Sequence, residues 1–108
     1  MALLKEYFPD LTGFQWDAGN SERNRLSHDV SQAETEQAFF NRPAVLATGL
    51  AKSDAEPRHF LLGRTNAGRR LSIVFTIRGT LVQPIMAREM SRKERRLYAE
   101  QEHAEEAP

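Results

Sequence analysis

The feature that most constrains the fold is a nine-residue alternation of side chains in the middle of the chain. Residues 70–78, RLSIVFTIR, place four apolar side chains on one side: Leu71, Ile73, Phe75 and Ile77. A period of two is that of a β-strand, whose successive side chains point to opposite faces of the sheet. We therefore expect a strand with one face on an apolar core and an arginine at each end of the other face.

The segments around this strand predict a small α+β domain. We expect strands at residues 12–16, 44–50, 58–65, 70–78 and 80–87, and helices at 17–27, 31–40 and from 91 onward. Capping boxes at Ser31–Glu34 and Ser91–Glu94 indicate the starts of the second and third helices. The order β-α-α-β-β-β-β-α favours an antiparallel sheet with the helices packed on one face.

The length of 108 residues allows one domain. We assign residues 1–99 to that domain. Residues 100–108, EQEHAEEAP, form an acidic C-terminal tail. The tail carries four glutamates and no basic residue. We expect it to be frayed and solvated, the alternative being that it folds back on a basic surface.

Charge is segregated along the chain although the formal net charge is zero. Residues 57–98 hold ten basic and two acidic side chains, a net charge of +8, and nine of the ten bases are arginine. Arginine suits bidentate contacts with phosphate. The segment predicts either a phosphate-binding surface or a solvated basic face.

Several classes of protein are excluded or disfavoured by composition. Cysteine is absent, which rules out disulfides and thiolate metal sites, and the three histidines lack the spacing of a zinc pair. No apolar run approaches the length of a membrane span, and the N-terminus lacks the pattern of a signal peptide. We expect a cytoplasmic protein without metal, cofactor or membrane partner.

The residues that could carry chemistry form a group of arginines on neighbouring predicted strands. They are Arg58, Arg64, Arg70, Arg78 and Arg88. Cleaving RNA without a metal requires removal of a 2′-hydroxyl proton, stabilisation of charge on the phosphate and a proton for the leaving oxygen. Arginines can supply the stabilisation, and Glu56, His28 or Tyr98 could move the protons.

Three of the singled-out side chains also have a structural interpretation. Trp16 could pack in the core or stack on a base, His28 could simply end a helix, and Tyr98 could pack against the sheet. The arginines themselves could be salt-bridged or solvent-facing.

Six motifs, in order over about residues 12–99, resemble the BrnT family of ribonuclease toxins. The matching segments are FQWDAGN at 14–20 with Asn24, HDV at 28–30, AFFNRP at 38–43, EPR at 56–58 with GRT at 63–65, GRRLSIVFTIR at 68–78, and AREMSRKERRLY at 87–98. The resemblance implies a RelE-like α+β fold and an endoribonuclease of a type II toxin–antitoxin system. It also implies neutralisation by a cognate DNA-binding antitoxin, promoter DNA being bound only through the complex.

Site residues follow from the resemblance position by position. It implies catalytic roles for Glu56, Arg58, Arg78 and His28. A phosphate-binding role is implied for Arg88, which Arg64 and Arg70 would share as neighbours on the same strand face.

Three departures from the family pattern bear on activity. Ser27 stands where the family has lysine, Gln83 where it has arginine, and Met86 where it has serine. The loss of two bases would thin the phosphate-binding face, and the alternative function is therefore that of a catalytically weakened or inactive toxin relative that serves as an antitoxin-binding module in autorepression. A plain structural interaction domain is a third hypothesis. Cleavage preference, ribosome dependence and oligomeric state do not follow from the sequence.

Overall fold

A computed structural model describes residues 9–52 and 57–106. Within these residues, five strands and three helices follow one another along the chain, and the predicted α+β class is confirmed. The elements are β1 (Gly13–Phe14), α1 (Ala18–His28), α2 (Gln32–Phe40), β2 (Val45–Lys52), β3 (Pro57–Arg64), β4 (Arg70–Arg78), β5 (Leu81–Glu89) and α3 (Arg92–Glu106).

The sheet is mixed, with strand order β1-β5-β4-β3-β2. Strands β2 to β5 are antiparallel neighbours, but β1 pairs with β5 in parallel through Gly13–Leu81 and Phe14–Val82. The expectation of a purely antiparallel sheet is therefore corrected at this edge. Because α1 and α2 separate β1 from β2 in the chain, no hairpin dictates the direction of β1.

One face of the sheet, which we call the core face, carries the apolar side of β4. Leu71, Ile73 and Phe75 are fully buried there. They pack with residues of the α1–α2 segment, and the ring of Phe39 meets that of Phe75 edge to face at 5.1 Å. The sequence pattern predicted this face because alternate residues of a strand share a side.

Helix α2 lies very close to β3. Its start is fixed by the predicted capping box, in which Ser31 and Glu34 exchange hydrogen bonds. At its closest approach, a Cβ atom at Gly63 would collide with the carbonyl oxygen of Ala38. Only glycine fits this position of β3.

The opposite face, which we call the arginine face, is covered at one end by α3. Tyr98 is fully buried, clusters with Leu62 and Met90, and donates a hydrogen bond to the Pro43 carbonyl oxygen. The helices thus lie on both faces, and the expectation that they share one face was wrong. The reason is that α3 follows β5 directly and turns onto the arginine face, where it buries Leu62.

Helix α3 continues to Glu106. Residues 100–106 are therefore helical rather than frayed, while the boundary at residue 99 stays a prediction. Within residues 9–52 and 57–106, no helix is long and apolar enough to cross a membrane.

Candidate active site

Strand register places all five predicted arginines on the arginine face. On β3 and β4, Arg64 is the direct partner of Arg70. On β5, Arg88 is the partner of Ser72, which lies on the same side as Arg70. Since alternate residues share a face, Arg58 and Arg78 lie on that side as well.

Arg58 and Arg78 form the open end of the arginine face, beyond the reach of α3. Both are exposed. The pair His59–Phe75 is the last recorded between β3 and β4, so Arg58 comes opposite Thr76 and diagonal to Arg78. Diagonal neighbours of this kind lie about 7–8 Å apart, close enough for both guanidinium groups to reach one phosphate.

Two buried polar side chains lie on the arginine face near this end. Thr76 and Gln83 are partners across β4 and β5 and are 3% and 7% exposed. The hydroxyl oxygen of Thr76 has no hydrogen-bond partner in the part of the chain that the structure describes. Gln83, one of the three residues that depart from the family pattern, is thus paired with Thr76, two residues before Arg78 on β4.

The other end of the arginine face is held by Glu102 of α3. Its two carboxylate oxygens accept hydrogen bonds from Arg64 Nη1 at 3.1 Å and from Arg70 Nη2 at 2.9 Å. Arg70 Nε adds a third contact at 3.1 Å. The glutamate side chain is only 12% exposed, and the two arginines are 39% and 42% exposed. The acidic end therefore folds back, which corrects the expectation of a solvated tail.

Arg88 is held by Glu94 in a second, more enclosed group. The two nitrogens Nη1 and Nη2 of Arg88 donate to the two carboxylate oxygens at 2.8 and 3.1 Å. Ser72 and the backbone N–H of Ser91 donate to the same carboxylate. Burial alone would raise the pKa of Glu94, but the bonds from Arg88 and Ser91 lower it to about 2. The predicted phosphate-binding Arg88 is thus half of an internal ion pair.

His28 lies apart from the open end. It is exposed at the end of α1, and its carbonyl oxygen accepts a hydrogen bond from Arg69 at 3.0 Å. Arg69 sits at the β3–β4 turn and also bonds Glu34 and Glu89. Since Arg78 is at the opposite end of β4, the structure does not bring His28 together with Arg58 and Arg78.

The remaining candidates fall outside the site or outside the described residues. Glu56 lies in the segment 53–56, of which nothing is described. Tyr98 is in the core, so its structural interpretation holds. Trp16 is half-buried and donates to Glu36 at 2.8 Å, which links β1 to α2. His59 is buried against Phe75 on the core face, and this burial lowers its pKa.

Sequence reasoning missed the role of α3 as a source of carboxylates. A signal was present, because Glu94, Tyr98 and Glu102 are spaced by four and share one side of a helix. With Tyr98 facing the sheet, both glutamates face the arginines. Among the described residues, no three acidic or histidine side chains are arranged to hold a metal ion.

The fold is that of a known ribonuclease toxin. The 1.1 Å crystal structure of the Brucella abortus ribonuclease toxin BrnT superposes with a TM-score of 0.55 and 19% sequence identity. The match covers 75% of this chain and 99% of the toxin. At this identity the likeness concerns the fold alone. A comparison with curated proteins gave no match.

The family is shown by the sequence itself. The profile described as "ribonuclease toxin, BrnT, of type II toxin-antitoxin system" matches residues 16–94. The chain belongs to this family of ribonuclease toxins. Glu102 and the last turns of α3 lie beyond the matched residues.

Proposed function

We propose that this chain is an endoribonuclease that cleaves RNA without a metal cofactor at the open end of the arginine face. The observation that carries the proposal is that Arg58 and Arg78 are both exposed and lie at the same end of the adjacent strands β3 and β4, in a chain of the BrnT family. The other three arginines of that face form ion pairs with Glu94 or Glu102 of α3.

The reaction needs three groups. A base removes the proton of the 2′-hydroxyl, the 2′-oxygen attacks phosphorus, and the bond to the 5′-oxygen breaks as that oxygen gains a proton. Arg58 and Arg78 stabilise the charge that develops on the phosphoryl oxygens. Glu56, two residues before Arg58, is the candidate for proton transfer. His28 is not assigned a step because it lies at the other end of the sheet.

The test is cleavage of RNA by the purified protein in the presence of EDTA. Wild type should cleave, and Arg78→Ala should reduce the rate by about a hundred- to a thousandfold, the usual effect of removing one preorganised charge donor. Arg78→Lys should recover little of that rate because the bidentate guanidinium fork is lost.

The matched control is Arg92→Ala, which removes an exposed arginine at the start of α3 and should cleave at close to the wild-type rate. Equal rates for Arg78→Ala and wild type would remove Arg78 from the mechanism. Cleavage that stops with EDTA and returns with a divalent cation would contradict metal independence.

Pairing with a cognate antitoxin is the second part of the proposal. The family is one of toxin–antitoxin systems, and expression of the toxin alone should arrest growth in a way that the antitoxin reverses. Gln83 in place of an arginine favours the alternative of a weakened toxin that retains only this binding. Complex formation without RNA cleavage or growth arrest would select that alternative.

A further inference from the structure

A polar cleft opens at the β3–β4 turn, at the far end of the sheet from Arg58 and Arg78. Its volume is about 590 Å³, and it is lined by Asn41, Arg42, Arg64 and Asn66 and by the backbone of residues 65–68. This volume is within the range of small-ligand sites. Because its walls are mostly polar and include two arginines, an anionic ligand fits it better than an apolar one.

The walls of the cleft are fixed by hydrogen bonds. The side-chain nitrogen of Asn41 donates at 2.9 Å to both the Arg64 carbonyl and the Asn66 side-chain oxygen. The backbone N–H of Asn66 donates to Gln37, and Gly68 adopts the positive φ of 89° that closes the turn. A ligand would therefore meet a preformed surface, which reduces the entropic cost of binding.

Arg64 links the cleft to Arg70 and to Glu102. The carboxylate of Glu102 bridges the two arginines, because one oxygen accepts from Arg64 and the other accepts from Arg70, and two oxygens of a phosphate can accept from guanidinium groups in the same way. Glu102 thus stands where a phosphate oxygen pair would bind.

This ion pair can be exchanged without dismantling α3. Arg64 and Arg70 keep about two-fifths of their side-chain surface exposed, so a ligand can reach both guanidinium groups from solvent. The helix is anchored independently, one turn earlier, by the buried Tyr98 and its bond to Pro43. Withdrawal of Glu102 requires only movement of a side chain or of the last turn.

We propose that this cleft, with Arg64 and Arg70, is a second RNA-binding subsite for a phosphodiester of single-stranded RNA, and that Glu102 is its internal competitor. The naming of RNA as the ligand rests on the proposed function. Arg70 and Arg78 are separated by eight residues of strand, about 26 Å, or roughly eight stacked nucleotides. The subsite would hold RNA that extends from the cleavage site and slow the release of long substrates.

The test measures binding of a 12-nucleotide single-stranded RNA with 2′-O-methyl riboses, which lacks the nucleophile and cannot be cleaved. Glu102→Gln removes the competing charge and should bind roughly tenfold more tightly at low salt. Its log–log salt dependence should steepen by about 0.7 for each phosphate newly neutralised. Adding Arg70→Ala to Glu102→Gln should abolish the gain.

The matched control is Glu100→Gln, which makes the same charge change at an exposed position of the same helix. Equal affinity of Glu102→Gln and Glu100→Gln would overturn the proposal, because the effect would then be one of net charge or absent. If thermal unfolding shows that Glu102→Gln is not folded, truncation after Gln101 is compared with truncation after Glu102, which differs from it by this one residue, and equal affinity of the two for the RNA would overturn the proposal.

The outcome is separable from that of the proposed function because the RNA probe is not cleaved. Tighter binding by Glu102→Gln in a protein without nuclease activity would support the subsite and contradict the cleavage proposal. Nuclease activity together with unchanged RNA binding by Glu102→Gln would support the cleavage proposal and contradict the subsite. If Glu102→Gln changes affinity for the antitoxin and not for RNA, the surface recognises an acidic protein instead, which also overturns the proposal.

Discussion

At the scale of single residues, two carboxylates of α3 hold three arginines of the sheet in ion pairs. Arg64 and Arg70 share Glu102, Arg88 has Glu94, and Arg58 has no ion-pair partner among the residues that the structure describes. Arginines that are equivalent in the sequence pattern therefore differ in whether α3 supplies them with a carboxylate partner. The cause is the position of one helix rather than any property of the strands.

The Glu94 group predicts a dependence of stability on pH. The pKa of Glu94 is about 2 in the folded chain against an ordinary value of 4.5, so its ionised form stabilises the fold above pH 4.5. That contribution, at most about 3 kcal/mol, is lost as the pH falls from about 4.5 to about 2. Denaturant unfolding at a series of pH values should show this loss.

Glu94→Gln is the variant that isolates the effect, because glutamine keeps a capping acceptor for Ser91 but cannot be charged. It should flatten the stability curve between about pH 4.5 and 2, whereas Glu100→Gln should run parallel to wild type. If the stability of Glu94→Gln depended on pH as steeply as that of wild type, the ion pair with Arg88 would contribute nothing to the free energy of unfolding.

These pairings could not be predicted from the sequence, although the arginines could. The alternation in residues 70–78 placed Arg70 and Arg78 on one face, and strand register extended this to Arg58, Arg64 and Arg88. The pattern contains no information on which helix covers that face. The same holds for His28, which is part of a family motif. A match to a motif does not give the distance in space between His28 and Arg78.

At the scale of elements, the contact between α2 and β3 sets the separation of the two layers. The order and type of the elements were predicted because periods of two and capping boxes are local signals. The parallel direction of β1 and the side taken by α3 were not, because both depend on contacts between residues far apart in the chain.

Gly63→Ala tests that separation. The new methyl group would meet the Ala38 carbonyl, so α2 must shift, and we expect a loss of about 1–3 kcal/mol in the free energy of unfolding. Gly13→Ala is the control, because its Cβ would lie 3.7 Å from Leu81 Cδ2, an ordinary contact, and the change should stay within about 0.5 kcal/mol. Equal stabilities in chemical denaturation would show that the layers adjust freely.

At the scale of the whole molecule, the zero formal net charge results from internal compensation. The +8 segment and the acidic end are neighbours in space as well as in sequence, through Glu102 and the β3–β4 end of the sheet. The affinity of the wild-type chain for RNA should therefore depend less on salt concentration than its number of arginines alone would suggest.

The salt dependence can be stated in numbers. If Arg58 and Arg78 each neutralise one phosphate, the log–log slope for single-stranded RNA should be about −1.4. If all five arginines of the face bound phosphate, it would be about −3.5. Titration of the 2′-O-methyl RNA between low and high salt distinguishes these values. The steeper slope in wild type would mean that RNA displaces the α3 carboxylates from their arginines without any mutation.

The outer edge of β5 has a consequence for self-association. Strand β1 pairs with Leu81 and Val82, Pro84 has no N–H to offer, and the side chain of Asn24 accepts a hydrogen bond from the Ala87 N–H at 3.2 Å. Exposed strand edges are the templates on which sheets of separate molecules join and aggregate. A foreign strand that adds to β5 would first have to displace β1 and the buried Asn24. Along this edge the chain is thereby protected from polymerising into extended sheets.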